Sequence, residues 1–172
     1  MWLRTIVLYL HLLAAIFWIG EMLFLAVVAA PYARTLDPKE RSNLFQNLGQ
    51  RSRPYAWSAL GLLIVTGILN VHFMGIPLAD LFQPAFYRTG LGSTLGPKLA
   101  LVAVLLLGVL YHDVILVNSR ARLSARLRKE GPSPELTAAL ERSRRLASWM
   151  GRINLILALL VAWFGVSLVT GL

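Results

Sequence analysis

The sequence predicts an all-α integral membrane protein, a four-helix bundle with both termini on the outer (periplasmic) side. Three observations carry this. The 172 residues are 57% hydrophobic, with a mean hydropathy of +0.65. The apolar residues gather into four runs, each near the roughly 20 helical residues that cross a bilayer core. Lysine and arginine collect in two of the three connecting segments, as they do on the cytoplasmic side of inner-membrane proteins.

The first run, Leu3 to Ala30, is longer than the apolar core of a secretory signal and reads as a permanent span. The second covers Tyr55 to Gly75, the third Gly96 to Asn118 and the fourth Ile153 to Leu172, giving helices at about 3–30, 55–75, 96–118 and 152–171. Gly61, Gly67, Gly108 and Gly165 lie inside these runs, where small residues let membrane helices approach closely. Between them, Pro31–Pro54 carries Arg34, Lys39, Arg41, Arg51 and Arg53, and Ser119–Met150 carries eight further cations. The middle connection, Ile76–Pro97, offers only Arg88 and Asp80, so it faces outward with the termini. Within the second basic segment, residues 135–147 interleave leucine and alanine with charge, which predicts a short amphipathic helix on the cytoplasmic surface. Gly131, Pro132 and Pro134 break it from the helix before. The whole is read as a single four-span domain, 1–172.

The net charge of +9 needs no nucleic acid to explain it. Positive charge beside membrane helices meets anionic headgroups, and membrane lipid is the expected partner. There is no cysteine, and no nucleophile triad, phosphate loop or soluble zinc motif occurs.

Function is expected where polar side chains enter hydrocarbon, because an unpaired one costs several kcal/mol. Four such residues stand out: His11, Glu21, His72 and His112. At 1.5 Å per residue, His11 lies about 12 Å below the start of the first helix and His72 about 5 Å from the outer end of the second. Both belong to the outer half. Lys98 opens the third helix at the outer boundary, and His112 lies about 21 Å deeper. Glu21, ten residues past His11, falls toward the inner side. An outer pair, His11 with His72, is thus separated from an inner pair, Glu21 with His112 beside Asp113. A histidine near a helix end also serves as an interfacial hydrogen-bonding residue, and an ion pair between His112 and Glu21 would stabilise the bundle without chemistry.

Two imidazoles from facing helices are the usual axial ligands of a low-spin b-type haem, and such a site needs apolar, partly aromatic walls. His11, Ala14, Ala15, Trp18 and Met22 share one helical stripe that leaves room for a large flat ligand. Arg4, Arg88 and Lys98 lie on the outer side for the haem propionates. Copper is the rival: His72-Phe73-Met74 sets an imidazole beside a thioether, and Met22 adds a second soft donor. With four methionines and no cysteine, the donor set favours haem b. Electrons would then pass from a membrane donor such as quinol to a periplasmic acceptor.

Several motifs carry a family resemblance. His11-Leu-Leu-Ala-Ala-Ile-Phe-Trp18-Ile-Gly20, Phe24, Ala30-Pro31, Ala56-Trp57, Thr66-Gly67, Lys98-Leu99-Ala100-Leu101 and Gly151-Arg152-Ile153-Asn154 together resemble the copper-resistance protein D family. Its members are multispan proteins associated with copper uptake or tolerance, and the resemblance implies a metal role for His11. His11, Trp18, Lys98 and Tyr111-His112 are also similar to positions in the HemJ-type protoporphyrinogen oxidases, which are haem-associated membrane proteins. Residues 153–172 lack the acidic residue that family carries near its last helix.

Overall fold

Asp37 shows why the chain turns back where it does. Its carboxylate accepts hydrogen bonds from the backbone N–H groups of Lys39 (2.8 Å) and Glu40 (2.9 Å), and Pro38 supplies a first helical residue that needs no donor. One turn on, Arg41 Nε donates to Ala33 O at 2.7 Å, and Arg41 Nη2 donates to Arg34 O and Leu36 O at 3.5 and 3.4 Å. These carbonyls end the preceding helix and would otherwise lack partners. Side chains of the second helix therefore close both ends of the turn.

The computed structural model describes residues 2–131 and 133–170, with Val169 described by its backbone alone. Four long helices make up the chain: α1, Trp2–Arg34; α2, Pro38–Phe73; α3, Gly90–Glu130; and α4, Pro134–Thr170. All four are long and apolar enough to cross a membrane. Only 11–22% of each apolar window is buried, and large side chains such as Ile16, Val65, Leu107, Ile156 and Trp163 point outward. In water this would be a liability. In a bilayer it is the lipid-contacting surface of a multi-pass protein.

The helices extend well beyond the apolar runs. Residues 38–53 were expected in a basic loop but form the first part of α2, because the Asp37 cap starts a helix that Pro54 does not stop. At Pro54 the carbonyl accepts from Ser58 Oγ at 2.9 Å. The amphipathic segment 135–147 is not a separate surface helix; it runs without interruption into α4. Ser133 caps it, accepting from Leu136 N at 3.2 Å. The break from α3 falls where expected, at Gly131, whose φ of +84° suits glycine. Pro132, Gly171 and Leu172 lie outside the described residues.

α1 and α3 each contain one wider turn, a π-helical segment at Leu25–Ala29 in α1 and Tyr111–Leu116 in α3. No residue type announces such a segment.

The chain forms two compact units, Met1–Gly92 and Ser93–Leu172. The first is the α1–α2 hairpin, closed on small and buried residues: Ala14, Trp18, Ala29 and Ala33 of α1, with Ala59, Leu60 and Thr66 of α2. After α2 the chain turns at Gly75 (φ +75°) and makes two 3-10 turns, Leu78–Phe82 and Phe86–Arg88. Thr89 Oγ1 donates to Phe86 O (2.7 Å) and accepts from Gly92 N (3.1 Å). A Cβ on Gly92 would lie 2.0 Å from Phe86 O, so this cap requires glycine. The second unit is the α3–α4 hairpin, with Leu105 and Leu116 of α3 and Ala147, Asn154 and Ala158 of α4 buried. Asn154 reaches toward α3: its Oδ1 sits 2.6 Å from where a Gly108 Cβ would be.

Candidate functional site

On α1, Val7, Ala14 and Trp18 are buried and His11 is half-buried between them. The seven-residue and four-residue spacings put these side chains on one stripe. His11 Nδ1 lies 2.8 Å from Thr66 Oγ1 of α2. Thr66 is only 2% exposed, and its hydroxyl also lies 2.5 Å from Leu62 O, one turn earlier. A Cβ on Gly67 would stand 3.5 Å from His11 Cε1. The imidazole therefore lies at the Thr66–Gly67 step of α2, hydrogen-bonded at Nδ1, with room beside Gly67 for no more than a methyl group.

Beside this step a groove of about 540 Å³ is lined by Leu13, Ala14, Ile16 and Phe17 of α1 and by Ser58, Ala59 and Leu62 of α2. Ala14 belongs to both the stripe and the groove, and Leu62 lies one turn from Thr66. Ser58 is its one polar side chain, and that hydroxyl is spent on Pro54 O. His11 and Thr66 do not line this groove, and Phe17, six residues past His11, lies about 240° around α1 from it.

The other residues singled out from the sequence fall elsewhere. His72 is exposed, its ring tilted on Phe73 with centroids 6.0 Å apart. It lies six residues past Thr66, about 9 Å along α2 and about 240° around it, so the helix presents it on a different side from His11. Met74 is half-buried at the end of α2. Arg4 is exposed, about 10 Å from His11 toward the start of α1. Trp18 is buried, 6% exposed, below His11 on the same stripe. Glu21 is half-buried, ten residues past His11.

In the second hairpin Lys98 is half-buried on α3, its Nζ 3.3 Å from the place of a Gly165 Cβ on α4. His112 sits in the π segment, where Nδ1 lies 3.2 Å from Oδ1 of its neighbour Asp113. The carboxylate nearest His112 in this hairpin is thus the adjacent residue. Among the described residues, no three His, Cys, Asp or Glu side chains converge as a metal-ion site.

Thr66 and Gly67 complete the site; the sequence marked them as a family motif and, for Gly67, as a close-approach glycine, but gave neither a role beside His11. A hydroxyl residue beside a glycine within an apolar run was the available signal.

No family model matches the chain, and no solved structure matches it. A protein of Aquifex aeolicus (strain VF5), described as an uncharacterized protein, is 33% identical over 170 residues, which cover 98% of this chain and 97% of that protein. The chain belongs to that protein's family. The matched length spans both hairpins of this chain.

Proposed function

We propose that the protein holds a redox metal centre, haem b, through His11, and passes electrons between a membrane-soluble donor and an acceptor outside the inner membrane. The observation that carries this reading is the contact of His11 with Thr66 inside an apolar hairpin. A metal-binding histidine generally has its other ring nitrogen tied by a hydrogen bond, which orients the ring. Haem suits this chain better than a bare ion, because the porphyrin fills the equatorial positions and asks only axial donors of the protein. A copper ion would draw several donors from the chain, and His72, beside Met74, is presented on a different side of α2 from Thr66.

Bound haem would supply one-electron ferric–ferrous exchange. The protein's part would be to present His11 with its ring oriented by Thr66. Arg4 is the cation of this hairpin placed toward the membrane boundary for a propionate. The basic segments favour a periplasmic position for this end of α1, where an acceptor would dock; a quinol is a donor class that dissolves in the bilayer. His72 can join His11 as a second axial ligand only if the last turn of α2 moves, whereas a centre with one histidine needs no movement.

A reduced-minus-oxidised spectrum of the purified protein tests the proposal. A Soret band that disappears with His11→Ala is expected; a wild-type spectrum with no haem band ends the haem reading. Copper found by metal analysis, and lost with His11→Ala or Met74→Leu, would replace it with a copper-handling function like that of the copper-resistance protein D family.

A further inference from the structure

We propose that the α3–α4 hairpin binds a phosphate group at its basic end, held by the guanidinium of Arg120 and the hydroxyl of Ser143. Both residues sit in the seam where the two helices meet. On α3, Arg120 follows the buried Leu116 by four residues and precedes Leu123 and Leu127 by three and seven, the spacing of one helical face. On α4, Ser143 precedes the buried Ala147 by four residues and the buried Asn154 by eleven. The two are also level. Lys98 meets Gly165 toward the other end of the hairpin, and twenty-two residues along each helix from that contact stand Arg120 and Ser143. Arg144, the neighbour of Ser143, is close enough for its charge to act on that of Arg120.

A seam of leucine and alanine thus holds a polar layer that the chain leaves unbalanced. Arg120 is half-buried, and among the described residues no hydrogen bond or ion pair engages its guanidinium. The charge beside it has the same sign. The carboxylates of Asp113 and Glu141 lie against His112 and Arg145. Ser143 Oγ is buried without a hydrogen-bond partner. A serine inside a helix commonly satisfies its hydroxyl on the carbonyl one turn back, and a buried hydroxyl left unpaired is costly. An anion that accepts several hydrogen bonds answers both deficits. Two oxygens of a phosphate match the guanidinium fork, and another is left for the hydroxyl. Depth points to the same chemistry. The apolar run of α3 ends at Asn118, two residues and about 3 Å before Arg120, the level at which acidic headgroups meet basic pockets between membrane helices. Arg120 has no bond to break in swinging its guanidinium aside, and that movement opens Ser143 Oγ to the same phosphate.

Thermal unfolding of the purified, lipid-depleted full-length protein in a neutral detergent tests the site with two probes, a short-chain phosphatidylglycerol and inorganic phosphate. The wild-type midpoint should rise with phosphatidylglycerol. A rise with inorganic phosphate as well assigns the phosphate itself, and a rise with the lipid alone assigns a lipid headgroup. Arg120→Met should weaken binding about tenfold or more, as loss of a hydrogen-bonded charge does, and Ser143→Ala should weaken it less. Arg122→Gln, at an exposed position of the same helix, removes the same charge and should bind as wild type. Arg120→Lys keeps the charge without the fork and should bind at an intermediate affinity, which decides the matter if Arg120→Met does not fold. No midpoint rise with either probe, or equal weakening by Arg120→Met and Arg122→Gln, would overturn the site. Wild-type affinity in Ser143→Ala would overturn the role of the hydroxyl. Without ligand, Arg120→Met should unfold no lower than wild type, since an apolar side chain suits the seam at least as well as an unpaired cation. A lower midpoint there would show that the protein itself already balances Arg120, and would overturn the proposal.

Discussion

The two hairpins place a nitrogen-bearing side chain of their first helix against a glycine of their second, His11 at Gly67 and Lys98 at Gly165. Both first helices then run on to a π turn, fourteen residues after His11 and thirteen after Lys98. The residue seven places on is buried in each case, Trp18 in one and Leu105 in the other. What differs is the residue before the glycine. It is Thr66 in the first hairpin and Phe164 in the second, so only the first offers a hydroxyl to the visiting nitrogen. Similar helical slots are thus given different chemistry by a single neighbour. The His11 imidazole meets a hydroxyl of α2, whereas the Lys98 amine stands beside a glycine of α4 that follows an aromatic residue.

Exchanging the two side chains should break the comparison most visibly. His11→Lys is expected to remove haem entirely, read as haem per chain in the purified protein. Lys98→His should leave one haem per chain, because the new imidazole would have Phe164 where His11 has Thr66. Two haems per chain would show that the slot, and not Thr66, decides. Smaller effects concern the glycines. Gly108→Ala would set a Cβ 2.6 Å from the buried Asn154 Oδ1, forcing that side chain to turn away at a cost of about 1–2 kcal/mol. Unfolding in mixed micelles measures this, and an unchanged midpoint would mean Asn154 moves freely. Gly67→Ala meets His11 at an ordinary 3.5 Å and should cost less than about 0.5 kcal/mol. A large loss there would indicate that the imidazole lies closer to α2 than 3.5 Å implies.

Much of the fold was legible in the chain. Four apolar runs became four membrane-length helices because hydropathy over twenty residues is a sum that survives local irregularity. The polar parts of those helices were not legible in the same way. Residues 38–53 carry no apolar periodicity and read as a loop, whereas the interleaved leucine and alanine of 135–147 did mark a helix and only its continuity with α4 was hidden. The capping residues Asp37 and Ser133 were the usable signal. At the site, His11 announced itself by the expense of an imidazole in hydrocarbon. Thr66 did not, because a threonine satisfied by its own helix is ordinary, and only its distance from His11 gives it a role. The pairing of His11 with His72 assumed that similar depth means proximity. Depth fixes one coordinate, and the turn of α2 between Thr66 and His72 supplies another.

The π turns have a bearing on how such a chain tolerates changes in length. A turn closed from residue i to i+5 contains one residue more than an α turn while the helix on either side carries on. Leu25–Ala29 and Tyr111–Leu116 each therefore hold a spare residue at a fixed place. Deleting Val27 should let α1 close into plain α-helix with His11 and Ala33 keeping their faces. Deleting Leu12 should instead swing everything beyond it by about 100°. Each hairpin has, in effect, a built-in splice point, and it lies away from the residues that touch His11.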